Sequence, residues 1–210
     1  MNPFENPSFV EGYEAWYSTE GHQADKLEKD LIRNLIVSFP EARTVLDVGC
    51  GTGHFSRWCE FLGMQVSGLD LSMAMLQEAC RLGDHPCLRG NALALPFGAC
   101  TFDLVIMITT LEFIANPLIA LSEMFQVART GLILGVLNRK SRLGQRLRNE
   151  GGPIWSHARF FSPLELLNKV ETAADWRKIK VFWRTTLWPV WPKALPLPWG
   201  GFIGMGVRIL

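Results

Sequence analysis

From Thr44 onward, short apolar runs alternate with stretches whose apolar residues recur at helical spacing. Thr44 to Val48 and Gln65 to Leu69 read as strands, Phe55 to Leu62 as the helix between them, and Ser72 as the N-cap of a second helix reaching about Cys80. A short third strand falls near Pro86 to Arg89. Phe102 to Ile108 is apolar throughout after Asp103, the pattern of a central parallel strand buried on both faces. Pro117 opens a helix over Leu118 to Val127, and Gly131 to Leu137 is another buried strand. Strands and helices in this alternation imply right-handed βαβ units, hence a parallel sheet with helices on both faces.

The flanks differ. Residues 1–40 read as helical, with Tyr13, Trp16 and Tyr17, then Gly21, then a helix from about Ala24 to Ser38 that carries Leu27, Leu31, Leu35 and Ile36 on one face and stops at Pro40. Beyond Arg139, Ser162 and Pro163 open a short helix to about Val170. Ile179 to Arg184 and Phe202 to Ile209 then read as an antiparallel pair that closes the sheet. Between them, TTLWPVWPKALPLPWGG carries Trp188, Trp191, Trp199 and repeated prolines, which exclude a helix and a transmembrane span. It reads as an aromatic cover on the sheet edge or as a patch for a membrane surface or partner.

Composition narrows the picture. With 210 residues, no linker, and 48% hydrophobic against 20% charged residues, one globular domain is expected. A net charge of +1 argues against a polyanionic partner. The one basic cluster, Arg139, Lys140, Arg142, Arg146 and Arg148, has the spacing of a solvated helix face, so no nucleic acid is expected. Five cysteines without a CxxC pair imply neither a disulfide framework nor a metal site. The segment MNPFENPSFV lacks the pattern of a secretory signal, so a cytoplasmic location is expected.

Candidate chemistry centres on Val45 to Gly53, VLDVGCGTG. Gly49, Gly51 and Gly53 follow a strand at alternate positions and precede a helix, with Cys50 among them. Without Cβ atoms, such a turn lets backbone N–H groups and a helix N-terminus approach a ligand across the carboxyl end of the sheet. Asp70 ends the next strand, placed to accept both hydroxyls of a ribose. Asn91 and the backbone of Ala92, after the third strand, are candidates for an adenine edge.

VLDVGCGTG, GLDLS with Met73 and Met75, GNALALPF with FDLVI, LIALSEMFQVA and GLILGVLN together resemble the class I S-adenosylmethionine-dependent methyltransferases, and within them the small-molecule group that includes ubiquinone and menaquinone biosynthesis enzymes. The resemblance runs from about Tyr13 to Leu137 and faintly through RFFSPLELL. It implies a Rossmann-like α/β fold with a seven-stranded, mostly parallel sheet of order 3-2-1-4-5-7-6 and strand seven antiparallel. It divides the single domain into a lid (1–40), a cofactor-binding core (41–137) and acceptor-side additions with sheet closure (138–210). It carries over the methionine end of the cofactor to Asp47, Gly49 and Gly51, the ribose to Asp70, and adenine to Leu71, Asn91 and Ala92, with Ile108 and Thr109 beside it. An N-terminal aromatic helix acts as the lid in such proteins, so Tyr17 is expected over the cofactor, where an aromatic face stabilises a sulfonium. Two departures stand out: the family usually has Asp at Asn91, and quinone-type relatives often have His after strand four, where this chain reads TTLEF. Asn retains both hydrogen-bonding functions; the second departure argues against a quinone acceptor.

The resemblance implies in-line methyl transfer to a small acceptor, a lipophilic one if the Trp- and Pro-rich patch is exposed, with S-adenosylhomocysteine as product; a monomer or homodimer is expected. The donor is already activated, so the protein chiefly aligns the acceptor and excludes water. Glu112 and then His157 are the candidates for acceptor contact or general base; His54 is expected to cap a helix or face solvent. The rival readings are an NAD-dependent oxidoreductase, which shares the glycine turn and ribose acid, and a non-catalytic S-adenosylmethionine-binding protein.

Overall fold

A computed structural model describes residues 3–188 and 193–210. Trp191 lies outside them. The chain runs through α1 (Pro7–Ser18), α2 (His22–Ile36), β1 (Thr44–Val48), α3 (His54–Phe61), β2 (Gln65–Asp70), α4 (Met73–Leu82), β3 (Cys87–Arg89) and β4 (Phe102–Ile108). It continues through α5 (Pro117–Val127), β5 (Ala128–Leu137), α6 (Arg142–Glu150), α7 (Gly152–Trp155), α8 (Pro163–Ala174), β6 (Ile179–Thr186) and β7 (Phe202–Ile209). Short 3-10 turns lie at Pro3–Glu5 and Leu111–Phe113.

The seven strands form one sheet of order β3-β2-β1-β4-β5-β7-β6, the expected order. β1 to β5 pair in parallel, and β7 runs antiparallel to both β5 and β6. Strand periodicity builds a core on each face. In β4, Val105 and Met107 pack with Phe125 of α5 and Leu166 and Val170 of α8, while Leu104, Ile106 and Ile108 pack with Leu31, Ile32 and Leu35 of α2 and Phe55 of α3. Asp103 accepts the backbone N–H groups of Arg43 (2.8 Å) and Thr44 (3.0 Å) and the Arg129 guanidinium, tying together the entries to β1, β4 and β5.

Boundaries shift by one to four residues where caps or packing override periodicity. α2 begins at His22 and ends at Ile36. β5 starts at Ala128, before its buried apolar run. α8 continues to Ala174, started by a reciprocal capping box between Ser162 and Glu165. The basic cluster places Arg142, Arg146 and Arg148 on α6, where Arg146 pairs with Glu150, and Arg139 with Glu165 of α8. The described residues of the Trp- and Pro-rich segment pack on the sheet. Leu195 bridges to Thr185 of β6, the Trp188 indole N–H donates to the Thr185 carbonyl (3.1 Å), and Asn138 Nδ2 donates to the carbonyls of Pro198 and Gly200 (both 2.8 Å). Trp199 remains exposed.

Candidate active site

The carboxyl ends of β1, β2 and β4 open on a cavity of ≈ 570 Å³. Here the strand order reverses direction between β1 and β4, which leaves a crevice between the loops. Past Val48, the N–H groups of Gly49 and Cys50 both donate to the Leu69 carbonyl (2.6 and 3.1 Å), anchoring the turn to β2. Gly49, Gly51 and Gly53 have φ of 75°, 56° and 79°, values open to glycine at little cost. Their surroundings differ. A Cβ on Gly49 would meet the Thr110 side chain at 2.1 Å, and one on Gly53 the His85 ring at 2.7 Å; above Gly51 only Met75 Sδ comes within 4.0 Å. Gly51 therefore leaves space at the cavity wall. Gly53, expected at the ligand, is the N-cap of α3; a Cβ there would point at the His85 ring, and Gly53 does not line the cavity.

The Asp70 carboxylate accepts the Gly51 N–H (2.9 Å) on one oxygen and the Ser72 N–H (2.8 Å) on the other, and lines the cavity. Each oxygen keeps a lone pair for a further donor. Burial raises its pKa. Asp47, 2% exposed, accepts the Ser56 hydroxyl at 2.6 Å, and burial pushes its carboxyl up to about 6 against that hydrogen bond. Leu71, Ala92, Ile108 and Thr109 line the same cavity with Cys50, and Thr109 takes φ 48° where its N–H donates to Gly135. Asn91 lines it too, but its Oδ1 accepts the Leu93 N–H at 2.9 Å in an Asx turn.

α1 closes one side. Glu14 accepts both Arg57 Nη2 contacts (3.0 Å each) and the Thr52 hydroxyl, fastening α1 to the glycine turn. Burial opposes ionisation of Glu14, yet His54, Thr52 and Arg57 bring its pKa down to about 2. Tyr17 stacks on His54 at 3.5 Å and 10° and bonds Tyr13 (3.2 Å between hydroxyls); both rings line the cavity. His54 is thus neither a cap nor a surface residue. His54 and Lys29 converge on Asp25 at 2.7 and 2.9 Å. The i,i+4 spacing of Asp25 and Lys29 was readable as an ion pair; the contacts of Glu14, which cross some forty residues of chain, left no local signal.

Glu112 corrects the first catalytic expectation. It is 1% exposed and absent from the cavity wall, and its Oε1 accepts the Leu137 N–H at 2.6 Å. The 3-10 turn after β4 rotates it toward the end of β5, while its neighbours Thr110, Phe113 and Ile114 face the cavity. His157 does reach the cavity, exposed at a mouth shared with Pro153 and Ile154. At this end the wall is apolar, with Phe4 against Phe113 at 5.0 Å. Among the described residues no Lys or Arg lines the cavity.

Residues 46–135 match the family model described as a methyltransferase domain. Over 184 residues the chain is 32% identical to the malonyl-[acyl-carrier protein] O-methyltransferase of Salmonella typhimurium, covering 84% of this chain and 68% of that protein. The chain belongs to the class I S-adenosylmethionine-dependent methyltransferases. An enzyme of the same name from Erwinia billingiae is 36% identical over 43% of this methyltransferase but only 37% of its own length, so the curated relatives extend well beyond the matched span. A SAM-dependent methyltransferase structure from Thermotoga maritima, described as a possible histamine N-methyltransferase, superposes with a TM-score of 0.79 at 28% identity, over 96% of this chain and 97% of that one. The methyltransferase is accordingly an enzyme whose cofactor is S-adenosylmethionine, which removes the oxidoreductase and non-catalytic readings.

Proposed function

We propose that Asp47, Gly49, Cys50 and Gly51 hold the amino-acid end of S-adenosylmethionine, Asp70 its ribose, and Leu71, Asn91 and Ala92 its adenine, with Ile108 and Thr109 beside it. The observation that carries this is the open space at Gly51, whose own N–H fixes the Asp70 carboxylate at the cavity wall. The cofactor supplies a methyl group already activated on a sulfonium. Tyr13 and Tyr17 on α1 bring aromatic faces to the cavity, suited to a cation and to the exclusion of water.

For the acceptor we infer a small molecule with an apolar body and a neutral or amine nucleophile. Phe4, Phe113, Ile114 and Ile154 supply an apolar wall, and a carboxylate acceptor would lack the cation it needs on leaving water. The malonyl esterification named for the Salmonella relative is therefore not carried over, whereas the amine acceptor named for the Thermotoga protein is compatible. Where the acceptor carries a proton, His157 is the imidazole free to take it, since His54 is engaged by Asp25 and Lys29. Five free thiols fit a reducing, cytoplasmic setting. No helix among the described residues is long and apolar enough to cross a membrane; exposed Trp199 offers at most a surface contact.

Calorimetry with S-adenosylhomocysteine is the direct test. Wild type is expected to bind, and Asp70→Ala, checked for fold by circular dichroism, to bind about 10–100-fold more weakly, the worth of hydrogen bonds to a charged group. Folded wild type giving no heat ends the cofactor assignment. Radiolabelled methyl transfer is expected to phenols or aromatic amines and not to malonyl thioesters; labelled malonyl ester would overturn the acceptor reading alone.

A further inference from the structure

Two thiols meet behind the glycine turn. Cys50 stands between Gly49 and Gly51, and Cys87 opens β3, the edge strand of the sheet. Gly68 of β2 is the register partner of Cys87. A Cβ on Gly68 would lie 2.8 Å from Cys50 Sγ and 3.3 Å from Cys87 Sγ, so both sulfurs converge on the volume that any side chain at 68 would fill. His85, 4% exposed, sits two residues before Cys87, with Nδ1 3.6 Å from the Glu60 carboxylate. The neighbouring Cys87 sulfur raises the His85 pKa against burial. The nearby Cys50 and His85 hold the Cys87 thiol well below its ordinary range, while Cys87 and burial push Cys50 up. A half-buried thiol of lowered pKa, beside a buried histidine and converging with a second thiol on Gly68, is the arrangement of an oxidation-sensitive pair.

We propose that Cys87 is a peroxide-reactive thiol and Cys50 its resolving partner, so that oxidation cross-links β3 to the glycine turn and impairs the cofactor site. The Cys87 thiolate attacks hydrogen peroxide and takes one oxygen as a sulfenic acid while hydroxide leaves. The Cys50 thiol then displaces that oxygen as water, its proton leaving with it. Two electrons pass from the sulfurs to the peroxide O–O bond, and one disulfide forms. A disulfide fixes its Cβ atoms about 3.8 Å apart, which draws Cys50 toward β3 and displaces Gly49 and Gly51. The effect on ligand binding rests on the cofactor assignment above; the thiol chemistry does not.

The test oxidises the reduced protein with hydrogen peroxide and maps it by non-reducing tryptic mass spectrometry. Peptide 44–57 is expected joined to 82–89, with S-adenosylhomocysteine affinity lowered about tenfold and recovered with dithiothreitol. Cys87→Ser, or Cys87→Ala if the serine variant misfolds, is expected to lose the link and the peroxide sensitivity, whereas Cys100→Ser, at an exposed thiol, keeps both. Iodoacetamide is expected to alkylate Cys87 with a pH midpoint below that of an ordinary thiol. Absence of the link in folded wild type overturns the proposal, as does a link from 58–81 to 82–89 in its place. A link that leaves affinity unchanged overturns the effect on the site. Reduced wild type that binds no S-adenosylhomocysteine counts against the cofactor assignment, while the peptide map still judges the thiol pair.

Discussion

Glu28 on α2 and Glu112 after β4 are carboxyls taken out of water. Burial pushes Glu28 up to about 8, with Asp25 and Glu112 adding to the rise. It pushes Glu112 up to about 7 despite the hydrogen bond from Leu137. The folded chain therefore holds these protons more tightly than the unfolded chain, whose glutamates titrate near 4.5. Their contribution to stability is complete below that value and is lost as pH rises through 7 and 8. Melting temperature is expected to fall over this range. Glu28→Gln should flatten the fall and melt about 2–6 °C above wild type near pH 8; scanning calorimetry giving parallel curves would exonerate Glu28. Glu112 also shows where residue type misleads. Its position just past β4 was legible, but its direction followed from the 3-10 turn, which the spacing of apolar residues does not encode.

At the scale of elements, α1 is fastened to the glycine turn and α3 by Glu14, which binds Arg57 and Thr52, and by Tyr17 stacked on His54. Only Val10 of this helix is buried. Such an element opens at lower cost than the strands it covers. Glu14→Gln is expected to speed amide exchange in α1 and to raise the dissociation rate of S-adenosylhomocysteine about fivefold, the loss of one charge-assisted interaction. Stopped-flow release at the wild-type rate would show that α1 does not gate the cavity. The sign of the pH effect is opposite to that of Glu28. With its pKa lowered to about 2, Glu14 stabilises the closed helix above the free value of 4.5 and loses that contribution as pH falls through 2. Periodicity placed α2 to within two residues and β1 to the residue, because each buries a regular face; it did not register α7, four residues with none buried.

For the whole molecule, the sheet order sets β1 beside β4, and the glycine turn, Asp70 and the loop after β4 meet at one crevice. A ligand that touches all three binds only the folded chain. S-adenosylhomocysteine at a hundred times its Kd is therefore expected to stabilise the protein by about 2.7 kcal/mol, a rise of about 5–10 °C in Tm for a chain of this size. NADH should cause none; a thermal-shift assay that reverses the two would contradict the assigned site. By itself the sequence determined the alternation of strands and helices, the parallel core, the glycine turn and the acid at the tip of β2, since each is written in neighbouring residues and in periods of two or 3.6. Tertiary structure alone decided that Gly53 meets His85, that Tyr17 lies on His54, that Glu112 turns from the cavity and that Cys50 and Cys87 converge on Gly68. These are encounters of side chains distant along the chain or rotated by irregular turns, and only the packing of the elements brings them together.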